Sequence, residues 1–477
     1  MDSCAPAGFV VVANRLPVDS TIAADGTITT TTSPGGLVTA LKPVLARTKG
    51  HWVGWSGLVD LPAGAEQPQR TEDGLSLVPV SLTSSDYAEF YEGMANATLW
   101  PLYHDRVVAP EFHPHWYARY AQVNQAFADA AVKVTAPGGT IWVQDYQLQL
   151  VPGMIKQQRP DVRVGFFCHI PFPGPDLFGQ LPWRESILAG LVASDVLGFQ
   201  IVHCAENFLA TVARFLPAAT IVRTAAGNRG VQAEIHLPNG HVCVVGAFPI
   251  SIDVAQVREV AATTDPMQLR ATLGDPAIVL AGVDRLDYTK GILTRLAAIE
   301  QLLQQQVFDP ATMTFVQIAT PSRERIEEYQ RTRELVEQAV GRINGTYARL
   351  GRPVIHYHHT TYAAPALYEL YAATDIMVVN AMKDGMNLVA KEYVTCRNGR
   401  PGQLVLSEAA GAAQELRQAR LINPHDEQEL AAAIAAAITT VQHHPDSAVA
   451  DLATMAAHIA QYDVQYWADE FLACLRP

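Results

Sequence analysis

Asp384-Gly-Met-Asn-Leu-Val-Ala-Lys-Glu392 follows the apolar run Asp375-Ile-Met-Val-Val-Asn380. The β-branched run reads as a short buried strand, and the Ala/Lys/Glu-rich segment after Gly385 reads as a helix. The turn between them therefore sits at the carboxyl end of a parallel strand, where open α/β sheets bind ligands. The backbone N–H groups of Asn387, Leu388 and Val389 would face an anion with the helix dipole behind them, which suits a diphosphate. Asp384 has the wrong charge for a phosphate ligand. It reads either as an acceptor for sugar hydroxyls beside that diphosphate or as a plain helix N-cap. Glu392 lies two helical turns on, where a carboxylate can hold a ribose diol.

Around this stretch the chain alternates strands and helices twice. Gly8–Asn14, His51–Gly57, Gly139–Asp145, Val162–Cys168 and Ala193–Phe199 read as strands of a first half, which Cys243–Asp253 closes. Ala277–Val283, Met313–Ile318, Val354–His358, Ile376–Asn380 and Leu404–Leu406 form a second series, and an Ala-rich helical tail runs from Asp426. Strands separated by helical segments imply parallel sheets with right-handed crossovers. The expected architecture is α/β, with two Rossmann-like parallel-sheet domains facing a central cleft. The boundary is placed at Pro249. An N-terminal domain covers 1–248 and is rejoined by a C-terminal helix 458–477, and a C-terminal domain covers 249–457.

Composition narrows the chemistry. The chain has 477 residues, a net charge of −13 and 49% hydrophobic residues, enough for two cores. The acidic balance argues against nucleic acid and anionic membranes. No apolar run approaches the about eighteen residues of a membrane span, and Met1–Pro6 does not resemble a signal peptide, so a cytoplasmic protein is expected. The six cysteines lack any Cys-x-x-Cys pair, which indicates neither a zinc site nor a disulfide framework. Any anionic substrate must then meet a local cluster of cations.

That cluster is Arg285-Leu-Asp-Tyr-Thr-Lys290-Gly291, which leaves a strand. An Arg fork and a Lys point charge together suit a diphosphate leaving group, whose charge grows as a glycosidic bond breaks. The bland alternative is a surface pair between Asp287 and Lys290. In the first half, Gly35-Gly36 reads as a turn or as a glycine loop that lets a ligand approach the following helix start. Tyr91–Trp100 reads as an aromatic-rimmed segment before Pro101, of ordinary core-and-turn composition. Two successive strands deliver Asp145 and His169 to one sheet edge, and His169 is placed in an exposed loop by the prolines after it.

Ordered along nearly the whole chain, the segments Asn14-Arg15, Gly35-Gly36, Gly54-Trp-Ser-Gly57, Tyr91 to Pro101, Asp145-Tyr146, His169-Ile-Pro-Phe-Pro173, Gly198-Phe-Gln200, Arg285 to Gly291, Arg342-Ile-Asn-Gly345, Asp384 to Tyr393 and Leu404 to Gly411 resemble the trehalose-6-phosphate synthase family. These are retaining glycosyltransferases of GT-B type. The resemblance implies glucosyl transfer from a nucleotide-glucose, UDP-glucose or ADP-glucose, to glucose 6-phosphate, giving α,α-trehalose 6-phosphate. It implies that Arg285 and Lys290 bind the donor diphosphate, that Asp384 holds donor-glucose hydroxyls and that Glu392 holds the ribose. Gly35, Gly36, Gly385, Met386, Asn387, Leu388 and Val389 complete the donor site. The acceptor phosphate maps onto Arg15, Tyr91, Trp100 and Arg323, with Trp55 beside it, and Asp145 and His169 line the sugar site. The catalytic set is Asp145, His169, Arg285, Lys290 and Asp384. The segments Gly174–Gln180 and Tyr357–Tyr362 depart from the family pattern. The second lies where the base is expected, which leaves uracil, adenine and guanine open.

No Asp-x-Asp motif flanks a donor site, so neither a metal nor a cofactor is expected. A front-face reaction, in which the leaving phosphate oxygen takes the acceptor proton, stands beside double displacement through Asp145. A homo-oligomer, dimer or tetramer, is expected. Glucosylglycerol-phosphate synthesis or a catalytically silent nucleotide-sugar-binding subunit are the competing readings.

Overall fold

The strand Ala7–Arg15, β1, is buried from Phe9 to Asn14 and ends on an exposed Arg15. It is the first strand of a sheet in a computed structural model that describes residues 5–22, 28–32, 36–62, 69, 75–224 and 230–476. The chain divides into two compact units, residues 1–250 with 465–477 and residues 251–464. The return to the first unit comes at 465 rather than 458. The helix Pro445–Gln461 buries Leu452, Met455 and Ile459 and packs within the second unit, on the helices Leu388–Arg397 and Glu427–His443.

In the first unit β2 (Val18–Ile22) and β3 (Ile28–Thr32) form a separate hairpin. The main sheet contains β1, β4 (His51–Val59), β5 (Ser76–Leu82), β6 (Thr135–Gln144), β7 (Arg163–Cys168), β8 (Val196–Phe199), β9 (Thr220–Arg223), β10 (Gly230–His236) and β11 (Val242–Ala247). Its order is β5-β4-β1-β6-β7-β8-β11-β10-β9. Pairing is parallel from β5 through β11, and β10 and β9 add antiparallel to that edge. The C-terminal helix packs on this sheet, with Phe471 stacked 4.7 Å from Trp142.

The second unit holds β12 (Ile278–Arg285), β13 (Met313–Thr320), β14 (Ile355–His358), β15 (Ile376–Val379), β16 (Gln403–Ser407) and β17 (Arg420–Ile422). All pair parallel, in the order β14-β13-β12-β15-β16-β17. Numbered within the unit this is 3-2-1-4-5-6, the doubly wound order, whose crevice opens between strands 1 and 4. β12 is buried along its whole length except for the exposed Arg285 at its end. Two such units make the chain an α/β protein of the GT-B type. Among the described residues no helix is long and apolar enough to cross a membrane.

Two parts of the first unit differ from the sequence expectation. β5 carries Pro79, which is compatible with an edge strand, where a missing N–H costs no ladder bond. Tyr91 to Leu99, within the segment read as core and turn, is part of a thirteen-residue π-helix, Tyr87–Leu99. It is buried at Phe90 and then almost without a break at Gly93, Met94, Ala95, Asn96, Thr98 and Leu99. Burial on nearly every side leaves no apolar stripe, which hides the element from a helical pattern.

Candidate functional site

The crevice of the second unit is built where β12 and β15 end. Past β12 the chain makes a short 3-10 turn, Tyr288–Lys290, closed by Gly291. Gly291 has φ +67, and a Cβ there would meet the Asn380 carbonyl oxygen at 2.3 Å, so only glycine fits. The turn is tied to β15's exit by the Met382 N–H, which donates to the Thr289 carbonyl at 2.7 Å. Beneath it lies Arg295, fully buried, whose Nε donates to Asn380 Oδ1 at 2.7 Å and whose Nη1 donates to Asp284 Oδ2 at 2.7 Å and Gln317 Oε1 at 2.9 Å. One guanidinium therefore fixes the ends of β12 and β13 and the residue just past β15.

Lys290 is buried, and its Nζ donates to Asp384 Oδ2 at 2.6 Å. Asn387 Nδ2 donates to the same oxygen at 3.2 Å. The N-cap of the helix Leu388–Arg397 is Asn387, in the left-handed region at φ 78, with its Oδ1 accepting from Ala390 N–H at 3.1 Å. Asp384 is thus not the cap but the counter-ion of Lys290. Nor is Asp287 a surface partner of Lys290. It is 1% exposed. Burial raises its carboxyl, but Arg323, Arg285 and Lys290 outweigh that and hold it down at about 2. Arg323, past β13 at φ 50, points its Nη1 at Asp287 Oδ2 from 3.4 Å. The sequence reading assigns Arg323 and the pair Arg285 and Lys290 to separate sets, whereas all three act on the Asp287 carboxylate. Glu392 is partly buried beside the Tyr371 hydroxyl, and burial raises its carboxyl to about 7.

In the first unit the corresponding crevice lies between β1 and β6. Arg15 is held by its backbone, since Trp52 Nε1 donates to its carbonyl at 2.9 Å. Its guanidinium lies 4.9 Å from the centroid of Trp55 and bonds Asp19 at 3.2 Å. A Cβ at Gly57, φ +94, would meet that guanidinium at 2.5 Å. Tyr87 and Tyr91 stack at 5.3 Å on the π-helix, and Trp55 packs on both, at 5.4 and 6.3 Å. Arg15, Trp55 and Tyr91 are therefore brought together. Trp100, 3% exposed, packs instead on His104 and on Tyr146, the residue after Asp145, at 4.1 and 5.7 Å.

Asp145 adopts φ 72, ψ 170, a conformation that side chains other than glycine's rarely take and that concentrates at functional sites. Its N–H donates to the Phe167 carbonyl at 2.8 Å, and its Oδ1 accepts the His169 N–H at 3.0 Å. His169 is not in an exposed loop, and burial lowers its imidazole to about 3, leaving it neutral. Its tautomer follows from a chain of bonds. Ile250 N–H donates to Gln200 Oε1 at 2.9 Å, which turns the Gln200 amide to donate to His169 Nδ1 at 3.3 Å. The ring Nε2–H then donates to Gln144 Oε1 at 2.9 Å.

Gly36 opens the helix Gly36–Thr48, and Gly35 lies outside the described residues. Sequence reasoning missed Tyr87, Gln144, Gln200, Arg295 and Tyr329. Gln200 stands in a matched family segment, but nothing in its spacing points to His169.

A family model described as Glycosyltransferase family 20 matches residues 7–476. A trehalose-6-phosphate synthase of Mycolicibacterium vanbaalenii is 48% identical over 98% of this chain and 96% of its own. Among solved structures, an alpha,alpha-trehalose-phosphate synthase (UDP-forming) from Burkholderia xenovorans in complex with glucose 6-phosphate superposes with a TM-score of 0.86 at 32% identity, over 98% of this chain and 100% of the other. An E. coli trehalose-6-phosphate protein bound with UDP-2-fluoro glucose gives 0.86 at 30% identity, over 98% of each chain. The chain belongs to glycosyltransferase family 20, a family of trehalose-6-phosphate synthases, and is a glycosyltransferase.

Proposed function

We propose that the chain transfers glucose, with retention, from a nucleotide-glucose to glucose 6-phosphate, making α,α-trehalose 6-phosphate as the first step of trehalose biosynthesis. The observation that carries this reading is the cationic turn at the switch point of the second sheet, where Lys290 is held 2.6 Å from Asp384. In this reading Arg285 and Lys290 bind the donor diphosphate and neutralise the charge that grows on it. Gly385 to Val389 close around it, and Glu392 takes the ribose. Asp384 presents its carboxylate to the donor glucose while it orients Lys290. Arg15, Tyr91 and Arg323 hold the acceptor phosphate, with Trp55 and Trp100 beside them.

The reaction proceeds on the front face. The C1–O bond to the diphosphate lengthens, an oxocarbenium-like centre forms, and the leaving phosphate oxygen takes the proton of the acceptor hydroxyl as the new glycosidic bond closes. A neutral His169 suits an oxocarbenium-like centre, because a charged imidazole in the sugar site would oppose the developing positive charge. Arg285 and Lys290 supply the charge neutralisation, and the reaction needs no metal. The complexes reported for the Burkholderia and E. coli proteins support the substrate pair. The test incubates the protein with UDP-, ADP- and GDP-glucose against glucose 6-phosphate, free glucose and glycerol 3-phosphate, with products read by mass. A disaccharide phosphate of two hexoses is expected. A glucosylglycerol phosphate, or no product with any pair, would refute the proposal.

A further inference from the structure

Asp287 faces different elements with its two carboxylate oxygens. Oδ1 accepts from Thr289, from its N–H at 2.9 Å and from its Oγ1 at 2.8 Å. That shapes the 3-10 turn which ends on Lys290. Oδ2 accepts from the Tyr329 hydroxyl at 3.0 Å and faces Arg323 Nη1 at 3.4 Å. Arg323 in turn donates to the Tyr329 oxygen and lies 5.4 Å from the centroid of that ring. The Tyr329 side chain comes from the helix Glu327–Tyr347 and packs edge-on against Tyr288 of the turn, at 5.2 Å. Asp287, Tyr329 and the Arg323 side chain are all nearly inaccessible, at 1%, 1% and 4%.

From this arrangement we infer that Asp287 is a positioning residue through which Arg323, the cation of the acceptor phosphate, also sets the strength of the donor diphosphate site. The inference rests on the proposed roles of Arg323, Arg285 and Lys290. A buried carboxylate needs offsetting partners. Asp287 has three cations around it, Arg323, Arg285 and Lys290, and Arg323 with Tyr329 occupies the oxygen turned away from the turn. Without Arg323 the carboxylate keeps its Thr289 and Tyr329 donors, but the balancing charge falls to Arg285 and Lys290. It draws them toward itself and cancels part of the potential they offer to a diphosphate. Donor binding therefore suffers from loss of a residue that is not among the donor's own ligands. Removing the carboxylate as well removes the competitor, and the donor site recovers while the acceptor site does not. A scaffold role alone would show in folding stability, lost in Arg323→Ala and regained in the double variant, while the folded fraction of each variant binds the nucleoside diphosphate as the parent does.

The experiment titrates UDP and, separately, ADP and glucose 6-phosphate calorimetrically into the intact parent chain, Arg285→Ala, Arg323→Ala, Asp287→Asn and the Arg323→Ala/Asp287→Asn double variant. Arg323→Ala is expected to weaken the nucleoside diphosphate about fivefold to tenfold, through the lost charge balance. The double variant is expected to return to within about twofold of the parent for the nucleoside diphosphate, with glucose 6-phosphate still lost, a non-additivity that marks direct coupling. Unchanged nucleotide binding in Arg323→Ala, or a double variant weaker than either single one, overturns the inference. Arg285→Ala separates the two levels. If it does not weaken the nucleoside diphosphate, the assignment of the donor site fails. If it does and Arg323→Ala does not, only the role of Asp287 fails. Should Arg323→Ala not fold, Tyr329→Phe loosens the same contact and keeps every charge. Its donor affinity is then expected to fall about twofold to threefold and to recover when Asp287→Asn is added.

Discussion

Gln200→Glu tests whether the neutrality of His169 is built by its surroundings. The substitution keeps the side-chain length and leaves an oxygen to accept the Ile250 N–H, but places a carboxylate where an amide now sits 3.3 Å from Nδ1. At 3.3 Å and an effective dielectric near 20, a full charge contributes roughly 5 kcal/mol, or about 3.5 pK units. The imidazole, held at about 3 in the parent, is then expected to titrate near about 6.5. Both ring nitrogens would be protonated below that value, with Nε2–H still donating to Gln144. Long-range proton–nitrogen NMR of the histidine rings reads the shift directly. The parent should show a single neutral form with Nε2 protonated down to the acid limit of the fold. In the variant, kcat should fall about fourfold as pH drops from 8 to 6, with the neutral fraction of the ring, because an imidazolium opposes the positive charge of the transition state. An NMR titration near 6.5 without any acid limb in kcat would remove His169 from the reacting centre. A His169 that stays neutral in the variant would refute the bonding chain itself.

Arg285→Ala is expected to lower kcat more than it raises donor KM, by about 3 kcal/mol, because the charge it meets develops as the bond breaks. Steady-state kinetics with an unchanged kcat would end that assignment. Glu392, raised to about 7 by burial, accepts diol hydroxyls best as the carboxylate. Donor KM should therefore fall as pH rises through about 7, and Glu392→Gln should flatten the profile. A parent profile that is already flat between pH 6 and 8 contradicts the ribose role. The same raised carboxyl favours the protonated native state. Its contribution to stability is thus full below the unfolded carboxylate pKa and is lost as pH rises toward 7, which urea titrations at pH 5 and 8 can compare. Activity should survive excess EDTA, and a strict requirement for added Mg²⁺ or Mn²⁺ would refute charge neutralisation by Arg285 and Lys290 alone.

The strands that carry these groups were legible because each is a short β-branched run with a polar exit. β1, β12 and β15 needed nothing beyond local pattern. What local pattern could not show were contacts made across the fold. Asp287 reads as a surface acid next to Lys290, three residues on, and only the arrival of Arg323 and Tyr329 from beyond β13 buries and balances it. His169 reads as exposed because prolines follow it, yet Gln144 and Gln200 close over it from neighbouring strands. The π-helix escaped for a different reason. Its buried residues run almost without a break from Gly93 to Leu99, so that neither a strand alternation nor a helical stripe shows.

The two units also solve one problem twice. In each, the first strand is a buried run whose last residue is an exposed arginine, Arg15 on β1 and Arg285 on β12. In each, the strand beside it across the switch point leads to an aspartate, Asp145 directly after β6 and Asp384 five residues beyond β15. The parallel order dictates this, since strands 1 and 4 are the only neighbours whose crossovers leave in opposite directions and so leave a crevice at their carboxyl ends. A cation on one lip and an acid on the other suit a phosphorylated sugar, which presents anionic oxygens at one end and hydroxyl donors along its ring. The two crevices differ in the partner that each acid meets. Asp145 is held by His169 N–H in a strained backbone, while Asp384 bonds a buried lysine. In the proposed reaction the first arrangement would orient the acceptor, and the second would also place a positive charge where the leaving group needs one.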